Sequence, residues 1–444
     1  MTHRGVRRAA ALGWQLLLLV GCTEDIRLFT DAGLVSPPPA AARVDAAVAA
    51  AMPSATDAGL SASGAACESA AQNALASLRQ APVDSCGSLA AETFRYNACA
   101  CVSMVLSAPF TSDGLDSSRG PYVPAEPGAG LGSNRSFVAT ADLTLLGSLR
   151  VAGAGGATLM NGTAHIRGSA SLEGPLTLSH TDAQLERDLW VGGNIVLSDS
   201  QVRVAGTLYQ PPGRVFVGAL SAGGGVMTRQ VNVEPPCPCS GMLAQLGVMF
   251  AAADSDSAVI TLPASALSDA NGLTLSCGRY RVNGDGVIGA SRWVVERAAV
   301  LIVAGDLEVD SRLEVELGER GELDVFVQGA LRLQPGAQIA TARPAALRFY
   351  VQAQSDLRLT GGARFTGNLY APDSTLRVME EQTFAASLVV RELFVDAPTT
   401  IHYDRAVLRP SGAANGCSDA ACSTDTDCVA PLLCVGGRCG LGAP

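Results

Sequence analysis

The chain has 444 residues, 48% of them hydrophobic, with 31 basic and 41 acidic side chains and a net charge of −10. That balance lacks the basic footprint of a nucleic-acid binder, and the length allows two or three domains or one long solenoid. Every basic residue is Arg, which excludes a lysine nucleophile or Schiff base, and aromatic residues make up only 5%, as flat, tight coils require.

Arg4, Arg7 and Arg8 precede an apolar run, Ala9–Val20, that is too short to span a bilayer. Residues 1–21 therefore read as a signal peptide. The run ends Leu19-Val20-Gly21-Cys22, which resembles a bacterial lipobox. The resemblance implies cleavage before Cys22 and lipid on its thiol and amine. Several acyl chains anchor stably, since each buried methylene contributes about 0.8 kcal/mol. Thr23 stands where proteins retained in the inner membrane commonly carry Asp, so the expected address is the outer membrane, periplasmic or surface-facing. Loss of the three leader arginines takes the charge from −10 to −13.

Residues 22–64 hold Pro37-Pro38-Pro39, Ala runs and scattered Ser, Asp and Gly. They have little to bury and read as a disordered tether. Residues 65–109 change character. Ala66–Leu78 has a helical pattern, Ser88–Leu106 could supply a second and a third helix, and Cys67, Cys86, Cys99 and Cys101 fall here. The expectation is a small disulfide-stapled helical hairpin. Cys99 and Cys101 are too close to pair with each other without strain, so each is expected to reach one of Cys67 and Cys86. The spacing does not match a zinc pattern and no His lies nearby.

Residues 110–135 are rich in Gly, Pro and Ser and read as a linker. From Ser136 apolar and polar residues alternate, as in Phe137–Leu145, Ser148–Val151, Leu176–Leu178, Leu189–Val191 and Val202–Val204. Period two is the pattern of strands with one buried face. Residues 215–280 interrupt it, with Pro235-Pro236-Cys237-Pro238-Cys239, a short helical stretch at Met242–Ala252, and Cys277. One of Cys237 and Cys239 is expected to bridge Cys277. Asp254-Ser255-Asp256 could offer alternate oxygens to Ca²⁺, but the glycine and terminal glutamate of an EF-hand loop are missing, so no cofactor or metal is expected.

The most regular stretch is Ala299–Asp404. Its strand cores begin at Val303, Val327, Val351, Leu369 and Leu388, at intervals of 24, 24, 18 and 19 residues. No segment between them can make a βαβ crossover. Strands at a near-constant interval without crossover helices predict a mainly β fold, a parallel β-helix-like solenoid over 136–409. Glu322–Val327, Phe365–Pro372 and Ile401–Asp404, with the Pro236–Cys239 and Cys277–Tyr280 landmarks, resemble an uncharacterised domain family of myxobacterial β-helix-like lipoproteins. The resemblance implies this fold and carries no catalytic residues to transfer.

Residues 410–444 are a linker and a cysteine-rich tail with Cys417, Cys422, Cys428, Cys434 and Cys439. So short a segment needs bridges in place of a core. With three cysteines in the middle section, the count becomes even if one of Cys237, Cys239 or Cys277 bridges to the tail. The hairpin and the tail stand in sequence where they could cover the two ends of the solenoid.

Catalytic constellations are lacking. After the leader, the histidines are His165, His180 and His402, each expected to be a structural hydrogen-bond partner, and there is no Gly-x-Ser-x-Gly elbow or His-Glu-x-x-His motif. Outward carboxylates (Asp306, Glu308, Asp310, Glu314, Glu316, Asp356, Asp373) would have to pair within a cleft to hydrolyse a glycan. Arg332, Arg358 and Arg377 each sit mid-way through an apolar-Arg-apolar strand end. Stacked in register they would form an arginine column capped by Glu308, either a solvated face or a stripe that binds acidic polysaccharide. The expected protein is a lipid-anchored cell-envelope module with a structural, adhesive or ligand-binding role and no catalysis. The alternatives are a polysaccharide-active β-helix enzyme or an assembly component that engages a cell-envelope protein.

Overall fold

The computed structural model describes residues 89–408, except 121, 123–126, 241–258, 277 and 320, and the antiparallel pair Leu433–Val435 and Arg438–Gly440. The protein is mainly β, a parallel solenoid of about 12 turns. The leader, Cys22, the tether, the first part of the expected hairpin with Cys67 and Cys86, the Asp254–Asp256 loop, Cys277, and Cys417, Cys422 and Cys428 of the tail lie outside the described residues, as do the side chains of Cys434 and Cys439.

Each turn contributes a strand to three faces. One inward ladder follows the whole axis. It runs Ile260, Tyr280, Leu301, Val325, Phe349, Leu369 and Leu388, then Ala98, Leu131, Leu149, Ala170, Leu189, Leu208 and Val226. Its interior members are buried, while the two terminal ones, Ile260 and Val226, are 42% and 65% exposed. Alternation puts these residues inside because successive strand side chains point to opposite faces.

The order of that ladder is not the order of the chain. The last coil of the C-terminal half, residues 382–404, does not end the stack. Its strand Gln382–Val395 pairs in parallel with Ala98–Leu106, and Thr399–Asp404 pairs with Phe110–Leu115. These two strands pair on their other edge with Gly130–Ser133, Ser136–Ala139 and Leu143–Leu145. The coil 98–115 is thus a seam, held by non-covalent ladder bonds to the C-terminal half and continuous with the N-terminal half. The solenoid starts at Ala98 rather than 136, and residues 110–135 include two of its strands instead of a linker. Residues 98–106 are a strand, not a helix; among the described residues of that region only Leu89–Thr93 is helical. The alternation of Ala98–Leu106 was hidden by its alanines and cysteines, which suit either helix or strand.

The first and last described coils of the chain meet at the seam, so the chain enters and leaves the stack there, while the segments expected to cover its ends lie mostly outside the described residues. The ends are mid-sequence: Phe216–Ala222 with Val226–Thr228 at one, Val259–Leu262 with Leu273–Leu275 at the other. The interruption expected over 215–280 is therefore shorter, since both of its flanks are coils.

The return from one end begins as an extended strap after Thr228. Pro236 packs where a Cβ on Gly132 would lie, 3.1 Å away. Five rungs separate Met227 from Gly132 along one outward column, about 24 Å at strand spacing. The eight residues from Thr228 to Pro236 reach about 26 Å when extended, so the strap runs nearly straight. Its Arg229 lies 5.3 Å from the Trp190 ring, which stacks on Tyr209 at 3.6 Å.

The corners are built by side chains that cap the next coil. Asp285 Oδ1 accepts from Asp306 N–H, and Asp306 Oδ1 accepts from Ala330 N–H, each at 2.8 Å. The glycine before each donor is required: a Cβ on Gly305 or Gly329 would lie 2.3 Å from the carboxylate oxygen of the coil below. This explains the glycines of Gly305-Asp306 and Gly329-Ala330, whereas Gly284, before Asp285, has no atom near its Cβ position and instead takes a φ of 84°.

In the N-terminal half another corner is a single left-handed residue, Asn161, His180 and Asp199 on successive turns, with φ of 56°, 52° and 49°. Gly218 takes the equivalent place on the last coil, with φ 114°. Asn and Asp tolerate this region; His does so less well. His180→Gly should leave stability unchanged or raise it, whereas His180→Val should lower it by about 1–2 kcal/mol, as measured by urea unfolding.

Candidate functional site

The seam concentrates the polar and cystine chemistry of the described residues. A second apolar cluster lies outside the solenoid against one face, built from Ala90, Phe94, Cys99, Cys237, Ile302, Phe326, Tyr350, Tyr370, Val389, Tyr403 and Val407. The helix Leu89–Thr93, the strap and the single-turn helices Pro344–Ala346 and Arg405–Leu408 supply its cover. Two disulfides fasten the strap to the seam coil: Cys99–Cys237 and Cys101–Cys239, with S–S 2.13 and 2.00 Å. These pairings replace the expected bridges from Cys99 and Cys101 to Cys67 and Cys86. They also leave neither Cys237 nor Cys239 for Cys277 or for the tail. The signal that could have found them is the shared spacing: Cys-x-Cys in a strand facing Cys-x-Cys in an extended strap.

Three asparagines, Asn97 and Asn368 buried and Asn134 half-buried, lock the same region. Asn97 donates to the carbonyls of Asp113 at 3.2 Å and Ile401 at 2.9 Å. Asn134 accepts from Cys237 N–H at 2.9 Å and donates to Cys237 C=O at 3.0 Å. Asn368 accepts from Ser387 N–H at 3.0 Å. Asp404, 1% exposed, accepts from Ser117, Ala345 and Ala406 N–H groups.

His402 lies in the strand Thr399–Asp404, and its Nδ1 is 2.5 Å from Asp113 Oδ1. Tyr122 donates its hydroxyl to Asp113 Oδ2 at 2.5 Å, and its ring lies 4.2 Å from the imidazole. Burial, and then the hydrogen bond to and charge of Asp113, push the Tyr122 phenol up to about 12. Both Asp113 oxygens are thereby occupied. Ser112 is adjacent in sequence, but its hydroxyl is buried and its register partners Ile401 and Leu145 are core residues. The cluster has an acid and an imidazole without a nucleophile facing them; it fastens the last coil to the first.

The structure brings the arginine column into register in two parts, with no strand pairing between Arg332 and Arg358. Glu308 pairs in register with Arg332, and Arg358 with Arg377, whose partner on the next coil is Phe394. Each arginine meets a carboxylate: Arg332 with Asp306, Arg358 with Asp356 and Arg377 with Asp396, all at 2.7 Å. Arg377 also lies over the Phe394 ring at 4.4 Å. Of the other outward carboxylates, Glu316 pairs with Arg292 and Glu314 with Arg312. Asp310 is raised above the usual carboxylate range, by burial and then by its neighbour Glu308, and Asp310 is on the exposed outer surface. His165 meets Glu186 at 3.0 Å, and His180 Nδ1 meets the Ser179 hydroxyl at 3.0 Å. Two cavities lie inside the stack, one bounded by residues such as Leu331 and Phe384, the other by residues such as Leu149 and Ile166; both are lined by apolar side chains alone. Among the described residues no group of three His, Cys, Asp or Glu is placed to hold a metal ion, and no helix is long and apolar enough to cross a membrane.

The buried ion group was not anticipated. Arg348 reaches Asp324 through two nitrogens, at 2.5 and 3.1 Å, and Glu322 at 2.7 Å. All three lie on one outer face beneath the second cluster, where alternation of charged residues in Glu322-Leu323-Asp324 resembles an ordinary solvated strand.

Residues 247–409 match a family described as a Domain of unknown function (DUF7305). Neither the curated proteins nor the solved structures gave a significant match. The matched region takes in the described C-terminal half, from Val259 to the end of the single-turn helix Arg405–Leu408, and stops at the seam. Residues 98–228 lie outside it, yet they continue the same ladders.

Proposed function

We propose that the protein is an exported, lipid-anchored module of the bacterial cell envelope, of the kind found in myxobacterial lipoproteins, with a structural or adhesive role. The observation that carries this reading is the pair of cystines fastening the strap to the seam, because structural disulfides form and persist in oxidising compartments. The leader ending at Cys22 supplies the route and the anchor, and the acidic, Pro- and Ala-rich residues 23–64 the tether. The outer face offers paired charges on a stiff scaffold, which suits contact with an extended polymer more than turnover of one.

Expression in a bacterial host with a labelled fatty acid tests the anchor. Label should enter the protein and disappear with Cys22→Ser; label retained by that variant, or absent from both, would remove lipidation from the reading. Acidic polysaccharides test adhesion, with retention expected and no new chain ends. Because each column arginine already holds a carboxylate, a polyanion must displace it. Arg358→Ala with Arg377→Ala should weaken retention about tenfold, a loss of about 1.4 kcal/mol. Asp356→Asn with Asp396→Asn should strengthen it. New reducing or unsaturated ends would instead favour a polysaccharide-active enzyme.

A further inference from the structure

The two ends of the stack are unlike. At the Phe216–Thr228 end the core is open. Among the described residues, the strands Phe216–Ala222 and Val226–Thr228 pair only on their inner edges, with Ile195–Val204 and Leu208–Gln210. Phe216 and Val226 are register partners of the buried Ile195 and Leu208, so both belong to core ladders, yet they are 43% and 65% exposed. Val215 and Met227 add to the same apolar end, at 53% and 54% exposed. At the other end, among the described residues, Val259–Leu262 pairs only with Gly278–Val282, and Leu273–Leu275 only with Ser291–Val295. There Ile260, the first member of the long inward ladder, is 42% exposed.

We infer that a second copy of this chain stacks head to tail on the open end, with its Ile260 rung continuing the ladder that stops at Val226. Three observations support that occupant. Both terminal residues of one ladder are apolar and exposed, so translation along the axis joins like to like and pairs free edges that would otherwise face water. The charges are complementary. The open end carries Arg214 (the Arg229 guanidinium lies over Trp190, two rungs inward), whereas from Val259 to Leu275 the one charged residue is Asp269. A two-fold contact between open ends would instead face arginine with arginine. Finally, the chain already makes one such junction within itself, since the seam is a parallel, in-register docking of two coil edges without chain continuity between them.

The contact is heterologous, so it does not close on itself and gives open chains of copies. It does not depend on the lipid anchor and can fail while that reading stands.

The test uses the full chain, purified oxidised in detergent, with sedimentation velocity over a hundredfold range of concentration. The wild type should form a series of species that grows with concentration. Val226→Asp disables one end and Ile260→Lys the other, and each variant alone should stay monomeric. Both sites are exposed, and circular dichroism checks that each variant remains folded. Mixed in equal amounts, the two should form a dimer and nothing larger, because each supplies one intact end. A wild type that stays monomeric throughout overturns the inference, as does a dimer formed by Ile260→Lys alone, which would mean that two open ends meet across a two-fold axis.

Discussion

Arg348→Met should lower stability by about 3–5 kcal/mol, because removing one partner of a buried ion pair strands the other. Arg348 is 6% exposed and Asp324 3%. The guanidinium holds Asp324 with two hydrogen bonds and Glu322 with a third. Burial opposes its charge, yet the two carboxylates hold the Arg348 proton well above the ordinary arginine range. Without Arg348, Asp324 must protonate or remain charged beside Tyr350, whose own phenol is held far above its usual range by burial and then by that carboxylate. Adding Asp324→Leu should restore most of the loss, since a packed apolar pair is often no worse than an ion pair in such a site. Urea unfolding of the single and double variants measures both. A single variant within 1 kcal/mol of the wild type would mean that water reaches Asp324 freely.

Removal of the strap cystines should cost about 4 kcal/mol in total, and the cost should fall unevenly. Each bridge spans 138 residues. Closing so long a loop restricts the unfolded chain strongly, by about 4–5 kcal/mol in the chain-entropy picture. The second bridge lies two residues from the first on both segments, so it closes almost no additional loop. Cys99→Ala with Cys237→Ala should therefore cost only about 1 kcal/mol, and so should Cys101→Ala with Cys239→Ala, whereas the quadruple variant should lose about 4. Equal and additive losses from the two pairs would show that the bridges act by local packing instead.

Much of the fold was legible along the chain. The regular intervals after Val303 reflect a coil of fixed perimeter, and the Gly-Asp corners repeat because the carboxylate of one turn needs the empty Cβ position of the next. The arginine column was legible for the same reason: strands in register place equivalent residues one rung apart. What the sequence hid is long-range. Alternation in Ala98–Leu106 says that a strand exists but not which edge it joins, and the edge it joins belongs to residues 382–404. Period and composition carry no record of that pairing. Helix was expected there because alanine favours it, and tertiary pairing overrode the propensity. The cystines followed from the same omission. With the strap assumed local, Cys237 had no visible route to Cys99, although the shared Cys-x-Cys spacing pointed to it. Arg348 and Asp324 were missed because their cover comes from distant segments.

The boundary of the matched family gives the seam further meaning. Residues 247–409 alone would end in a coil with a free edge, and here residues 98–115 occupy that edge. The N-terminal half therefore continues the stack of the matched region from its final coil, and Asn97, bonded to the Ile401 carbonyl, and Asp113, bonded to His402, are among the groups that hold it there.

The permuted stack is tested most directly by mapping disulfides in the oxidised, unreduced protein. Proteolysis without reduction, followed by mass spectrometry, should yield a peptide containing Cys99 and Cys101 joined to one containing Cys237 and Cys239. The same fragments should separate on reduction. Recovery of Cys99 and Cys101 joined to Cys67 and Cys86 would contradict it, since the strap would then be free of the seam and could not return along the N-terminal half as the stack requires.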